Sequence, residues 1–374
     1  MSDRRDRADR NSRAGRSSAT STASTTSRAG GHGSTGGAPD GRRADGYDAG
    51  SHDADGYDVV VVGGGAAGLN AALVLARARR RVAVLDVGQP RNAPAAHLHG
   101  FLSRDGMSPA ALLAVGRDEL AGYGVDLLDA RADHLAPVDA SGATDATGAP
   151  APQGLGFLVH LAGGPVLRAR RVIVATGLRD GLPELPGLAE RWGRDVLHCP
   201  YCHGYEVADR PLGVLGTRPG SVQQALLVKQ WSDDVVFFPH ARPLDDGDRD
   251  RLAARGVRVA EGTVRRLVAD GDRLRGVELA GGEVVPREAV FVFPQPAPRD
   301  ALLSGLGCAR DAQGWVVTDR TGRTSVPGVW AVGNVAHPRA LVVTAAGQGA
   351  AAGFAVNHHL LDEEVEQALA AAPL

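Results

Sequence analysis

The chain reads as an α/β fold built on dinucleotide-binding βαβ units, and three observations predict it. Tyr57-Asp58-Val59-Val60-Val61-Val62 is a run of β-branched residues, as expected of a strand buried on both faces in a parallel sheet. It leads into Gly63-Gly64-Gly65-Ala66-Ala67-Gly68, then a helical stretch from Leu69 to about Arg79, then a second strand from Arg81 to Leu85 ending at Asp86. The length, 374 residues, suffices for two domains and a sizeable core.

The loop satisfies G-x-G-x-x-G, and each glycine has a mechanical reason. Gly63 permits the tight turn, Gly65 lets a pyrophosphate approach the backbone, and Gly68 allows the helix to pack close to the strand. The helix N-terminus then offers unpaired amides and the positive end of its dipole. Asp86 lies where an acid accepts hydrogen bonds from an adenosine ribose.

Residues 1 to about 55 are rich in Ser, Thr, Gly, Arg and Asp, with almost no large apolar side chains. Such a tail buries too little surface to offset its ordering entropy and reads as disordered. Arg4-Arg5 lacks the apolar stretch that a twin-arginine export signal needs. The patch from Asp139 to Gly154 reads as a long hairpin loop. A net charge of −2 gives no support for nucleic-acid or membrane binding. Three cysteines make no disulfide scaffold, so a cytoplasmic, reducing setting fits best. Lys229 is the sole lysine beside forty arginines, which reflects composition bias.

Downstream lies Cys199-Pro200-Tyr201-Cys202-His203. Two thiols at C-x-x-C spacing close into a small disulfide ring and reopen, and local dipoles and cations hold the attacking thiol near ~7 in such motifs. His203 is placed to shuttle the proton that each exchange step needs. A zinc site would require two more ligands, and the third cysteine, Cys308, is isolated. No metal is expected. Haem attachment at C-x-x-C-H would require export, for which no signal is visible.

Taken together these segments resemble the low-molecular-weight thioredoxin reductase-like flavoproteins, over residues 57 to 360. Val172 to Gly177 is similar to the strand where that family's chain leaves its FAD domain, and Pro183 to Gly187 follows it. Thr324 to Val335 is similar to the second FAD motif, with Gly333 followed by Asn334 where the family has Asp. Asn334 keeps an acceptor for the ribityl chain and loses the charge. Thr344-Ala345 opens a segment whose helix N-terminus, by the resemblance, faces the flavin. A last helix is expected over Phe354 to Leu361, carrying His358 and His359.

The resemblance implies two Rossmann-like domains, the second inserted into the first: an FAD domain over 56–180 and 291–374, and an NAD(P)-binding-like insert over 181–290. It further implies that Cys202 faces the flavin, that Cys199 meets the substrate, and that the protein is a homodimer. A His after the second cysteine is a feature of the gliotoxin- and holomycin-type dithiol oxidases; the bland alternative is that His203 and Glu206 cap the next helix.

The second glycine loop departs from the family. In Gly216-Thr217-Arg218-Pro219-Gly220-Ser221, Arg218 replaces the glycine that admits the pyrophosphate of NADPH, and Ser221 replaces a small terminal residue. An arginine side chain could itself bind phosphate. After Val235 to Phe238 only Arg242 remains of the cluster expected to read the 2'-phosphate, and Asp245-Asp246 follow. The expectation is therefore FAD-dependent thiol–disulfide exchange through Cys199 and Cys202, in one of two directions. Either a small dithiol is oxidised at the expense of O2, slightly favoured here, or NADPH drives reduction of a thioredoxin-like protein or small disulfide. A flavin-bearing redox sensor is the alternative of another class.

Overall fold

The computed structural model describes residues 56–138, 156–240 and 242–372; the tail 1–55 and the patch from Asp139 to Gly154 lie outside them. The chain opens with β1 (Tyr57–Val62), α1 (Ala66–Arg77) and β2 (Val82–Asp86). The strands run parallel, Val59 opposite Val82 through Val62 opposite Leu85. α1 starts three residues before its expected Leu69, because Gly65 takes the N-cap with extended backbone. That draws Gly68 into the first turn, where a Cβ would sit 1.8 Å from the Gly63 carbonyl oxygen.

α2 (Pro109–Ala121), β3 (Asp126–Asp129), β4 (Ala132–Val138), β5 (Gly156–Leu161) and β6 (Val166–Val174) complete this part. The N-terminal half of β6 pairs antiparallel with β5 while most of it runs parallel to β1. β7 (Leu178–Gly181) then leaves the sheet.

Next come β8 (Val196–Leu197), α3 (Pro200–His203), β9 (Leu212–Leu215), α4 (Gly220–Val228), β10 (Val235–Phe238), α5 (Asp246–Ala254) and β11 (Arg258–Val259). β12 (Val264–Asp270), β13 (Arg273–Leu279), β14 (Val284–Pro286) and β15 (Ala289–Val292) follow. β16 (Gln295–Pro298) pairs antiparallel with β7, so the chain leaves and returns along one two-stranded ribbon. α6 (Ala301–Gly305), β17 (Val329–Ala331) and α7 (Val342–Ala371) end it.

The first sheet has the order β3-β2-β1-β6-β5-β4, with β17 joined to the end of β6. The second is a five-stranded parallel sheet, β11-β10-β9-β15-β8, accompanied by the meander β12-β13-β14. Val60 and Val62 enter one core cluster and Val59 and Val61 another, so β1 is buried on both faces as its composition requires.

α7 is one 30-residue helix, longer than the expected Phe354 to Leu361 and continuous through the Thr344 segment. Two of its glycines contact α1: a Cβ on Gly349 would lie 2.0 Å from the Ala67 oxygen and one on Gly353 2.8 Å from that of Ala71. Asn70 Nδ2 donates to the Ala346 oxygen at 2.7 Å. This backbone-to-backbone contact sets the start of α7 beside the start of α1. Among the described residues, no helix is long and apolar enough to cross a membrane.

Candidate active site

β8 delivers the chain to Cys199, the N-cap of the one-turn helix α3. Pro200 suits the first helical position, where no amide donor is needed. The Cys202 and His203 amides donate to the Cys199 oxygen at 3.1 and 3.2 Å. The turn brings the two cysteines into a disulfide with Cα atoms 5.2 Å apart. Gly204 lets the Trp231 ring pack beneath, since a Cβ would come within 2.8 Å of it; Tyr201 stands edge-on to the same ring.

Both cysteines and His203 line a cavity of about 690 Å³ that runs on to Gly63, Gly65 and Asp86. Gly333, Asn334 and Ala345 line it from the C-terminal half of the chain. Two sequence-predicted residues stand apart. Gly68 lies outside the lining and serves the helix–loop contact; Thr344 is exposed, one residue beside Ala345.

The cavity fits a dinucleotide such as FAD. A Cβ at Gly65 would meet nothing within 4 Å, so the backbone faces open space where a pyrophosphate would lie, beside the unpaired amides of α1. Asp86 Oδ2 is paired with Arg117 of α2, which turns the carboxylate against Gly64 and leaves Oδ1 for a ribose hydroxyl. Asn334 is more committed than expected. Its Oδ1 accepts from Arg91 at 3.2 Å, and its Nδ2 donates to the His337 and Ala340 oxygens at 3.0 Å each. It clamps the turn before α7. Gln348 Oε1 accepts from the Gly333 amide.

Several neighbours escaped sequence reasoning because only the fold gathers them. Arg91 makes a two-pronged ion pair with Asp180, at 2.8 and 2.7 Å. His198 lines the cavity; burial, then the Arg91 charge, push its pKa down to about 4. Burial also lowers that of His203, against the opposing charge of Glu206, so this imidazole is neutral at pH 7 and ready to accept a proton. Glu206 caps no helix: its Oε1 lies 3.3 Å from His99 Nε2. The one hint in sequence was the His97-Leu98-His99 spacing, a hundred residues upstream.

Cys308 is buried, with Sγ 3.6 Å from Thr324 Oγ1, and burial raises its pKa, as befits a structural thiol. His359 packs on Trp330 and His358 on Phe354.

The second glycine loop, between β9 and α4, is filled by the protein itself. The buried Ser221 hydroxyl accepts from the Thr217 and Arg218 amides at 3.3 and 3.2 Å. Arg218 does not point outward for phosphate: its Nη1 donates to the Pro294 oxygen at 3.1 Å and its guanidinium lies over the Phe293 ring. The same ring covers Gly220, at 3.4 Å from a Cβ there. Arg242 sits 3.7 Å from Asp248.

The family model for pyridine nucleotide-disulphide oxidoreductases matches residues 57–349. The crystal structure of HlmI is similar at 61% identity and a TM-score of 0.80, over 85% of this chain and 96% of that one. That of an oxidoreductase from Agrobacterium tumefaciens is similar at 35% identity and a TM-score of 0.73, over 82% and 99%. Thioredoxin reductase sirT of Leptosphaeria maculans is 30% identical over 326 residues, 83% of this chain and 96% of the relative. The family match over residues 57–349, together with the Cys199–Cys202 disulfide lining the cavity, shows that the chain belongs to the pyridine nucleotide-disulphide oxidoreductases as a thioredoxin reductase-like, FAD-dependent enzyme of thiol–disulfide exchange.

Proposed function

We propose that the protein oxidises a small-molecule dithiol to its disulfide, with O2 as the final electron acceptor. The observation that carries this direction is the second glycine loop, whose amides and open space are already taken by Ser221, Arg218 and Phe293. A reductase of this family would receive NADPH there. Residues 181–290 then serve as an inserted scaffold that presents the disulfide.

One substrate thiol gives its proton to His203, and its thiolate attacks Cys199 Sγ. The Cys199–Cys202 bond breaks, a mixed disulfide forms at Cys199, and Cys202 leaves with the electron pair. The second substrate thiolate attacks the substrate sulfur of the mixed disulfide, and the Cys199 thiolate departs. FAD, held along Gly63, Gly65, Asp86, Gly333 and Ala345, would supply the two-electron acceptor for the Cys199/Cys202 dithiol, with O2 as the final acceptor and hydrogen peroxide as the product. The enzyme acts as a homodimer, a reading supported by the apolar residues that α7 exposes, Phe354, Leu361 and Leu369, in the cytoplasm, where a chain of three cysteines fits a reducing setting.

The test is to mix the oxidised yellow holoenzyme anaerobically with NADPH, NADH or dithiothreitol and follow the visible flavin band. Dithiothreitol should bleach it and air restore it, while the nicotinamides leave it intact. Rapid bleaching by NADPH would overturn the oxidase direction in favour of a reductase. Cys202→Ser should lose at least about 10³-fold in dithiol turnover, since the exchange has no other route.

A further inference from the structure

Each turnover of the proposed exchange releases two thiol protons beside His203, a largely buried imidazole that must be reset before it can act again. What lies behind His203 decides where those protons go. The segment from Leu98 to Met107 closes on itself: the Leu98 amide donates to the Met107 oxygen and the Gly106 amide to the Leu98 oxygen, both at 2.9 Å. Leu98 anchors this loop in the protein at 4% exposure. Asp105 braces its interior, Oδ1 accepting from the Gly100 amide at 2.8 Å.

The loop presents His99 to the dithiol site. Its ring stands edge-on to His203, with centroids 6.4 Å apart at 90°. One nitrogen, Nε2, lies 3.3 Å from Glu206 Oε1, and the other, Nδ1, lies 3.3 Å from Asp105 Oδ2. Glu206 follows α3, three residues after His203. Asp105 and Glu206 both reach solvent, at 65% and 39% side-chain exposure, and His99, 19% exposed, bridges them. The groups facing His99 are thus Asp105 and His97 from its own loop, His203 from α3, and Glu206 from the turn after it.

We propose that His99 is a positioning residue that completes a proton path from the dithiol site to solvent, acting through His203 and Glu206. An imidazole with a carboxylate at each nitrogen takes a proton on one side and releases one on the other. A proton taken from a substrate thiol by His203 leaves through the cluster of His99, Glu206 and Asp105 to water. Nothing on this path is oxidised or reduced. The inference rests on Cys199 and Cys202 exchanging with thiols, as proposed above.

The experiment uses the holoenzyme with dithiothreitol and air between pH 6 and 10, comparing wild type, His99→Gln and Asp105→Asn. His99→Gln should lower kcat/KM about tenfold at pH 7, less than the ~10² expected for a directly acting base. The gap should close towards pH 10, above the ~8.5 at which alkyl thiols ionise unaided. Added imidazole should restore part of the loss at pH 7. Asp105→Asn, which keeps an acceptor for the Gly100 amide, should lose about threefold with the same closing gap.

A deficit that stays constant with pH and ignores imidazole would mean the residue merely holds the loop, and the proposal falls; no deficit sinks it equally. Should His99→Gln fail to fold, the pH profile of Asp105→Asn decides alone. Wild type that fails to oxidise dithiothreitol would overturn the function proposed above, whereas an active wild type leaves the variant-to-wild-type ratio to judge His99.

Discussion

Gly65 and Arg218 hold the same place in two loops of the same design, each following a parallel strand and leading into a helix. At Gly65 the backbone faces open space, and the first-turn amides of α1 have no partner inside the helix. At Arg218 the loop amides donate to Ser221 and the guanidinium lies on Phe293. The difference teaches that a phosphate loop needs two things at once, room and unsatisfied donors, and that one hydroxyl with one ring removes both. The penalty for reopening is modest: two hydrogen bonds at about 1 kcal/mol each amount to about thirtyfold in affinity. On the oxidase reading proposed above, a loop closed that far disfavours NADPH without disturbing the β9–α4 fold around it.

The largest effect should come from forcing the first loop into the state of the second. Gly65→Arg fills the space over the α1 N-terminus, and the protein should purify without its yellow colour. The check is the ratio of visible to ultraviolet absorbance, with circular dichroism to establish that the fold persists. A folded Gly65→Arg protein that keeps its flavin would mean the pyrophosphate lies elsewhere. The reverse change is smaller. Arg218→Gly with Ser221→Ala reopens the second loop and should raise anaerobic bleaching by NADPH at least about tenfold above the slow wild-type background, below the thirtyfold ceiling because Arg242 stays with Asp248. No gain would place the block in the missing 2'-phosphate site rather than in the loop.

The sequence carried the first loop almost completely. A β-branched strand, three glycines and an acid at the end of the next strand leave little freedom in the backbone, and β1 and β2 fall where expected while α1 starts three residues early at Ala66. The C-x-x-C turn was legible for the same local reason. The closure of the second loop was only half legible: Arg218 and Ser221 stood out as substitutions, but Phe293 lies more than seventy residues away and meets them only because β15 pairs with β9. Asn334 was read as a ribityl acceptor, yet its partner Arg91 comes from the loop after β2. Helix α7 joins the expected Thr344 segment and the expected Phe354 to Leu361 helix into one element, because Gly349 and Gly353 let it pack on α1, a contact between segments far apart in the chain. His99 and His198 show the same limit: a histidine's role is set by what surrounds it, and those surroundings are assembled from four segments.

His198 joins the two regions, for it lines the flavin cavity and packs edge-on against Phe293, the ring that closes the second loop, at 5.7 Å. Its folded pKa of about 4 lies below the ordinary 6.5, so the unfolded chain binds the proton first as pH falls. Stability is then lost from about pH 6.5 downward and the loss levels off below about 4, amounting to about 2 kcal/mol between pH 7 and 5. His203, His240, His337 and His359 are lowered by burial in the same sense, so acid weakens every variant and only a difference isolates His198. The melting temperature of His198→Gln should fall less than that of wild type between pH 7 and 5, by a few degrees. Equal falls would mean that His198 is hydrated in the folded protein. In the Arg218→Gly/Ser221→Ala background the difference should shrink if Phe293 swings away from the reopened loop, because water then reaches the imidazole and its folded pKa rises. If the difference persists there, Phe293 stays in place and the loop has been emptied without being opened.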